Sequence, residues 1–154
     1  MLSPDALIPP QREIERQLSA MQAFALYDPG SGRIRTVYTG REEEVGLQLK
    51  ANEVWVACER TVRTDMHWVV GGQAVPRPVL TIDRTEIAAN GSDRAIVAMR
   101  EAFTATVEGT EFRVDDPDGD GLFMLAITSD MPASYTVGID HWPYLPFQAE
   151  ITAV

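Results

Sequence analysis

The sequence predicts an all-β fold in two modules, with a short helix before the first. Segments that alternate between apolar and polar residues recur from residue 22 to the end of the chain, and each is short enough to be a strand. Clusters of glycine, proline, asparagine and aspartate separate these segments. Seven or eight of them fall within residues 79–154, a number and spacing typical of an immunoglobulin-like antiparallel sandwich.

Composition limits the classes of function. The 154 residues are 45% hydrophobic and 23% charged, the balance of a globular chain that buries its own core. A formal net charge of -10 argues against a nucleic-acid partner, because binding to phosphates depends on lysine and arginine. The first residues do not resemble a secretory signal, and no apolar run reaches the ~18 residues of a membrane span. We therefore expect a protein that is made in a cytoplasm and does not insert in a membrane.

Residues 1–20 differ in composition from the rest and are expected to be a docking extension. A proline-containing arm leads into a short helix predicted over residues 11–21. Ile14, Leu18 and Met21 recur on one face of that helix and are the candidate partner-docking residues. A helix of ~10 residues is marginal alone in water, so it must lie on another surface. That surface belongs either to the same chain or to a neighbouring subunit.

Residues 21–78 are predicted to form the small β module. Two hairpins are expected, one around the turn Asp28–Gly32 and one across Gly71–Gly72. The single cysteine, Cys58, excludes an intrachain disulfide and is predicted to be a buried strand residue. Two prolines in Pro76–Pro78 make a stiff passage, where we place the module boundary. The predicted strands are 24–27, 33–39, 54–58, 66–70 and 73–75.

Residues 79–154 are predicted to form the immunoglobulin-like sandwich. The segment 121–128 is apolar on both faces, which is typical of a central strand. The last two strands alternate cleanly and are expected to pair as an antiparallel hairpin. The predicted strands are 79–83, 85–89, 94–99, 104–107, 110–114, 121–128, 134–140 and 147–153.

The acidic segment 115–121 is a candidate cation site. Asp116, Asp118 and Asp120 occupy positions 1, 3 and 5 of a calcium loop, and Gly121 stands at position 6. The twelfth position holds Ile127, where such a loop needs a bidentate glutamate. An ordinary acidic turn explains the same residues, because aspartate, proline and glycine all favour turns. Both alternatives remain open from the sequence.

The loop between the last two strands is a candidate ligand-binding surface. Trp142 and Tyr144 lie in it between two prolines. Aromatic side chains at a loop tip bind sugars or proteins, but they equally close the end of a small sandwich. No nucleophile elbow, phosphate-binding glycine loop or zinc-binding helix motif occurs, and His67 and His141 lie in different predicted modules. The sequence therefore predicts no enzyme and no required cofactor.

Three segments resemble small virion and tail-gene proteins of tailed bacteriophages and gene-transfer particles. They are Met21–Ile34, His67–Pro78 and Tyr135–Val154, the last with its Trp142–Tyr144 motif. The resemblance covers the chain from Met21 onward in the same order. Residues 1–20 depart from it and are either a docking device or a lineage-specific addition.

The resemblance implies a non-enzymatic virion component, made in the host cytoplasm and assembled in several symmetric copies with other virion proteins. A place at the tail tip, baseplate or fibre attachment is expected, with capsid decoration or a head spike as the alternative. A second hypothesis is a module that binds host-surface glycan through Trp142 and Tyr144, steadied by calcium. Neither hypothesis predicts a catalytic residue.

Overall fold

The computed structural model describes residues 21–154, and the chain divides into two compact units between Arg77 and Pro78. This division lies one residue from the predicted boundary. Strands dominate both units, which confirms the all-β prediction. Residues 11–20 of the predicted helix, with Ile14 and Leu18, lie outside the described residues, whereas Met21, its predicted last residue, is exposed and not helical. Within the described part, no helix is both long and apolar enough to cross a membrane.

The first unit contains an antiparallel sheet of order β2-β1-β3 and a separate hairpin, β4-β5. The four inner residues of the central strand β1, 23–26, are buried because both faces of the strand are covered. Phe24 packs with Val45 on one face, and its ring meets that of Trp55 edge-on with centroids 5.3 Å apart. Ala25 packs with Val69 on the other. The elements are β1 (Gln22–Tyr27), β2 (Ile34–Gly40), α1 (Glu42–Val45), a 3-10 turn (Gly46–Gln48), β3 (Val54–Cys58), β4 (His67–Val70) and β5 (Gln73–Pro76).

The second unit contains a five-stranded sheet of order β6-β12-β11-β8-β9 and a two-stranded sheet of order β10-β7. The predicted terminal hairpin is present, with β11 and β12 paired in register from Ala133↔Ala153 to Ile139↔Phe147. The strands are β6 (Glu86–Ile87), β7 (Ala95–Met99), β8 (Phe103–Val107), β9 (Thr110–Val114), β10 (Phe123–Ile127), β11 (Ala133–Ile139) and β12 (Phe147–Ala153).

The core of the second unit lies between its two sheets. Val97 and Met99 from the smaller sheet pack with Phe103 and Ile139 from the larger one. A second cluster joins Ile127 to Val137, Ile151 and other buried residues. In β7, β8, β11 and β12 alternate side chains enter this core and the others face outward, whereas β9 buries only Val114.

Three predicted strands differ in the structure. Residues 79–83 form no strand: the Asp83 N–H donates to the Ile96 carbonyl at 3.2 Å, but the Ile96 N–H donates to the Asp83 carboxylate, at 2.6 Å, and not to a backbone carbonyl. The predicted strand 85–89 shortens to β6, which pairs in parallel with β12. The segment 121–128 was wrongly predicted to be central: β10 pairs with β7 alone among the described strands, and the exposed side chain of Met124 lies on its outer face.

Candidate functional site

The loop after β11 folds back on its own unit. The Leu145 N–H donates to the carbonyl of Pro78 at 2.9 Å, and His141 Nε2 lies 3.0 Å from a carboxylate oxygen of Glu101. Tyr144 packs against the core cluster that contains Phe103, and Trp142 is half-buried. The predicted ligand residues therefore occupy a loop that closes one end of the sandwich, and Tyr144 at least contributes to its core.

The acidic loop is organised by hydrogen bonds to one carboxylate. Asp116 accepts the N–H of Gly119 at 3.0 Å and that of Gly121 at 2.6 Å. Both glycines have positive φ, which glycine adopts at little cost. Asp120 accepts the N–H of Leu122 at 3.0 Å. These are local turn contacts of the kind that aspartate makes wherever a chain reverses.

The three aspartates of the proposed calcium site do not form a ligand shell. No group of three or more histidine, cysteine or acidic side chains in residues 21–154 is placed to hold a metal ion. Burial opposes ionisation of Asp116, but hydrogen bonds led by the Gly121 N–H outweigh it and hold its pKa below the usual range. Asp118 is exposed. The geometry supports the acidic-turn interpretation, and the calcium interpretation finds no support in it.

The two histidines and the cysteine make structural contacts. His67 Nδ1 accepts a hydrogen bond from the N–H of Arg63 at 3.0 Å, which stabilises the loop before β4. His141 faces Glu101, as described above. Cys58 is half-buried, and this burial raises the pKa of its thiol. A raised pKa lowers the thiolate fraction at neutral pH, so this environment does not activate the cysteine as a nucleophile.

A hollow of about 450 Å³ with both polar and apolar lining lies on the outer face of the five-stranded sheet. Gly138 is at its centre, between Thr106 on β8 and Gln148 on β12. Glu111 on β9 pairs with Thr106 and extends the same row across four strands. The lining also includes Thr104, Asp140 and Pro146. The hollow exists because the outward position on β11 is a glycine, which has no side chain to fill the space.

The close packing around Gly138 sets the shape of this hollow. The Thr106 hydroxyl donates to the Gly138 carbonyl at 3.2 Å, and a Cβ added to Gly138 would lie 2.9 Å from that hydroxyl. The lining offers hydroxyl groups, an amide and the carboxylates of Glu111 and Asp140. Such a set forms hydrogen bonds with a polyhydroxylated or cationic ligand.

Sequence reasoning did not identify the Gly138 hollow. Its residues come from four strands that are distant in sequence, and only the register of the sheet brings them into one row. One signal was present: Gly138 interrupts the outward-facing polar positions of a strand, which often marks a close approach or a gap.

Comparisons of the chain with protein-family models, with curated proteins and with solved structures find no significant match. They add no residue to the candidate sites. The function is therefore inferred from the geometry of the described residues and from the sequence resemblance.

Proposed function

We propose that this protein is a non-enzymatic structural component of a phage virion or gene-transfer particle, at the tail tip, baseplate or fibre attachment. In this proposal the N-terminal segment docks through Ile14, Leu18 and Met21, and the second unit is an immunoglobulin-like module that presents a surface. The observation that carries it is the tandem of two β units with separate cores, preceded by a compositionally distinct segment.

Strand order supports the immunoglobulin-like part of the proposal. In that fold strands B and E share one sheet, and C, F and G are neighbours in the other. Here β7 and β10 pair with each other, whereas β8, β11 and β12 lie side by side, so the five strands follow the same order along the chain. The extra strand β9 beside β8 takes the place of C′.

A tyrosine contact adds to this argument. Immunoglobulin-like domains have a tyrosine near the start of strand F whose hydroxyl hydrogen-bonds to the backbone a few residues upstream. In this chain Tyr135 lies near the start of β11, and its hydroxyl is 2.9 Å from an upstream side chain, the Ser129 hydroxyl in the loop after β10, and not from the backbone. Ser129 is buried and also donates to the carbonyl of Met131.

Purified particles test the proposed location. Mass spectrometry of gradient-purified virions is expected to find the protein in several copies, and gold-labelled antibody is expected to mark the tail end. Label on the head would replace the tail assignment with capsid decoration or a head spike. Absence from particles that are otherwise complete would contradict both.

Docking through the N-terminal segment has its own test. The double substitution Ile14→Asp and Leu18→Asp removes the apolar residues of the predicted docking face, and we expect it to abolish incorporation into particles. The double substitution Arg12→Gln and Arg16→Gln, on the opposite face of the predicted helix, changes the net charge by the same two units and is the matched control. Equal incorporation of the two variants would contradict the docking role.

A second candidate function is binding of a host-surface glycan, and the Gly138 hollow favours it. Its threonine hydroxyls, amide and carboxylates provide the hydrogen bonds that a sugar needs. In this version the ligand lies on the sheet beside the loop of Trp142 and Tyr144, not on the loop itself. Glycan binding is compatible with a place in the virion, since a projecting module can contact the host.

Host polysaccharide binding, measured by calorimetry, distinguishes the two places for the ligand. Thr106→Val and Glu111→Gln are expected to weaken binding, whereas Thr136→Val on the same outer face is expected to leave it unchanged. If only Trp142→Ala loses binding, the glycan site lies on the loop and not at the hollow. If no variant alters binding, both sites are wrong.

A further inference from the structure

The negative charge of the protein is concentrated in its second unit. Residues 78–154 contain thirteen acidic residues, four arginines and no lysine, a formal charge of -9. The described part of the first unit, residues 21–77, contains seven acidic and seven basic residues, so its formal charges cancel. A surface with one sign of charge attracts ligands of the opposite sign and repels those of the same sign. The unit that contains the Gly138 hollow therefore favours a cationic ligand.

Two carboxylates flank the Gly138 hollow on different sides. Glu111 pairs with Thr106, which pairs with Gly138, so Glu111 is two strands away from the glycine, roughly 10 Å across the sheet. Asp140 follows Gly138 by two residues and lies roughly 7 Å away along the strand direction. Both acidic residues are exposed, and neither forms an ion pair within the described part of the chain. Their charges are therefore available to a ligand in the hollow.

Positive charge is missing from the lining of the hollow. Among residues 21–154 no basic side chain lines it. Arg113 lies on the same sheet, paired with Thr104, but its guanidinium is 3.5 Å from the carboxylate of Asp115, which offsets its charge. A protonated amine in the hollow thus meets the carboxylates of Glu111 and Asp140, whereas a carboxylate or phosphate group is repelled by them.

The other groups in the lining suit the hydroxyls of a sugar. The hydroxyl groups of Thr104 and Thr106 and the side-chain amide of Gln148 can each donate and accept hydrogen bonds. Sugar hydroxyls also do both, whereas a simple ammonium ion only donates. Pro146 adds apolar surface, and ligand sites commonly combine such surface with a few polar groups.

We propose that the Gly138 hollow binds an amino sugar with a free, protonated amine, and that Glu111 and Asp140 select this sugar over neutral and acidic glycans. The proposal rests on the glycan-binding function proposed above and names the class of glycan. Because both carboxylates are exposed, each ion pair contributes little, and the affinity of a single site is expected to be low. Several copies on one particle would bind a polymer of such sugars more tightly than one copy does.

Calorimetry on the full chain with two oligosaccharides tests the selection. A glucosamine tetramer carries free amines, and the fully N-acetylated tetramer has the same sugar chain without the charges. At slightly acidic pH, where the amines are protonated, we expect the glucosamine tetramer to bind roughly fivefold more tightly. Added salt is expected to reduce this preference, because it screens exposed charges.

Substitutions that remove one charge each test the site. Glu111→Gln and Asp140→Asn are each expected to reduce the preference for the glucosamine tetramer, and the double variant is expected to abolish it. Binding of the N-acetylated tetramer should change little, because the amides still form hydrogen bonds. Glu86→Gln is the matched control, since it removes one charge on β6 of the same sheet but outside the lining. We expect it to leave the preference unchanged.

Every outcome decides the proposal. Equal or tighter binding of the N-acetylated tetramer would overturn selection for an amine and leave glycan binding intact. A preference that survives in the double variant would overturn the assignment of Glu111 and Asp140. A tetrapeptide of lysine that binds as tightly as the glucosamine tetramer would replace the sugar with a basic segment of a partner protein. If neither tetramer binds, the amino-sugar proposal is wrong, and host polysaccharide binding shows separately whether the glycan function fails with it.

Discussion

The carboxylate of Glu53 has a strongly lowered pKa. Arg35 reaches it with two nitrogen atoms, at 2.7 Å and 2.9 Å, and the Lys50 N–H donates to it at 2.7 Å. Only 10% of the Glu53 side chain is exposed. The hydrogen bonds from Arg35, and then that from Lys50, lower the pKa of Glu53 from about 4.5 to about 2. A lowered pKa means that folding favours the ionised carboxylate.

Glu53→Gln is expected to reduce the free energy of unfolding at neutral pH. Because the folded-state pKa is the lower one, the stabilisation is fully present above pH 4.5 and is lost as pH falls toward 2. Urea unfolding of the natural chain and the variant at several pH values measures this, and the two curves should converge in that window. Glu59→Gln, at an exposed position, is the control. A difference that stays constant down to pH 2 would refute the assignment.

Tyr135→Phe is expected to lower the free energy of unfolding by about 1 kcal/mol, the usual value for one hydrogen bond. The reason is that the buried Ser129 hydroxyl loses one of its partners, although it keeps the carbonyl of Met131. A double-mutant cycle with Ser129→Ala measures the coupling. Additive effects in the cycle would show that the 2.9 Å contact contributes nothing to stability.

At the scale of elements, the short strand β6 is stabilised by its pairing with β12. Strand β6 has only two residues, but backbone hydrogen bonds in both directions hold it beside the end of β12. The Val154 N–H donates to the Ile87 carbonyl at 2.9 Å, and the Ala89 N–H donates to the Val154 carbonyl at 2.8 Å. Ile87 is fully buried. The parallel pairing joins the beginning of the second unit to its end and covers one edge of the larger sheet.

The acidic loop gives a prediction that separates its two interpretations. Asp116→Ala is expected to lower the melting temperature by a few degrees, because two backbone N–H groups lose their acceptor. Asp118→Ala is expected to leave it unchanged, and calcium or chelator should not shift the melting temperature of the natural chain. A calcium site would behave differently: both substitutions would matter, and calcium would raise the melting temperature.

At the scale of the whole molecule, charge sets which partners the protein can approach. With a formal charge of -10 it repels polyanions, and the carboxylates around the Gly138 hollow add to this locally. We expect no retardation of double-stranded DNA in a gel at low salt, where electrostatic binding is strongest. Retardation that disappears as salt is raised would contradict the exclusion of nucleic acid.

Local pattern in the sequence determined much of this fold. The period-2 alternation of the last two strands predicted their inward faces, and their bounds to within one residue, because a half-buried strand must alternate. The two hairpins of the first unit followed from glycine-containing turns whose positive φ other residues rarely adopt. The single cysteine also excluded an intrachain disulfide.

Tertiary structure decided what local pattern leaves undetermined. The apolar segments around Phe24 and Leu125 look alike in sequence. In residues 21–154, however, β1 pairs with two strands and β10 with one, because pairing depends on which other strands lie beside each of them. Asp83 donates its backbone N–H to the Ile96 carbonyl but accepts the Ile96 N–H with its side chain, and the alternation of residues 79–83 does not reveal this. The hollow at Gly138 likewise forms because the register of four strands places its lining residues next to one another. Contacts between residues distant in sequence are the physical reason in each case.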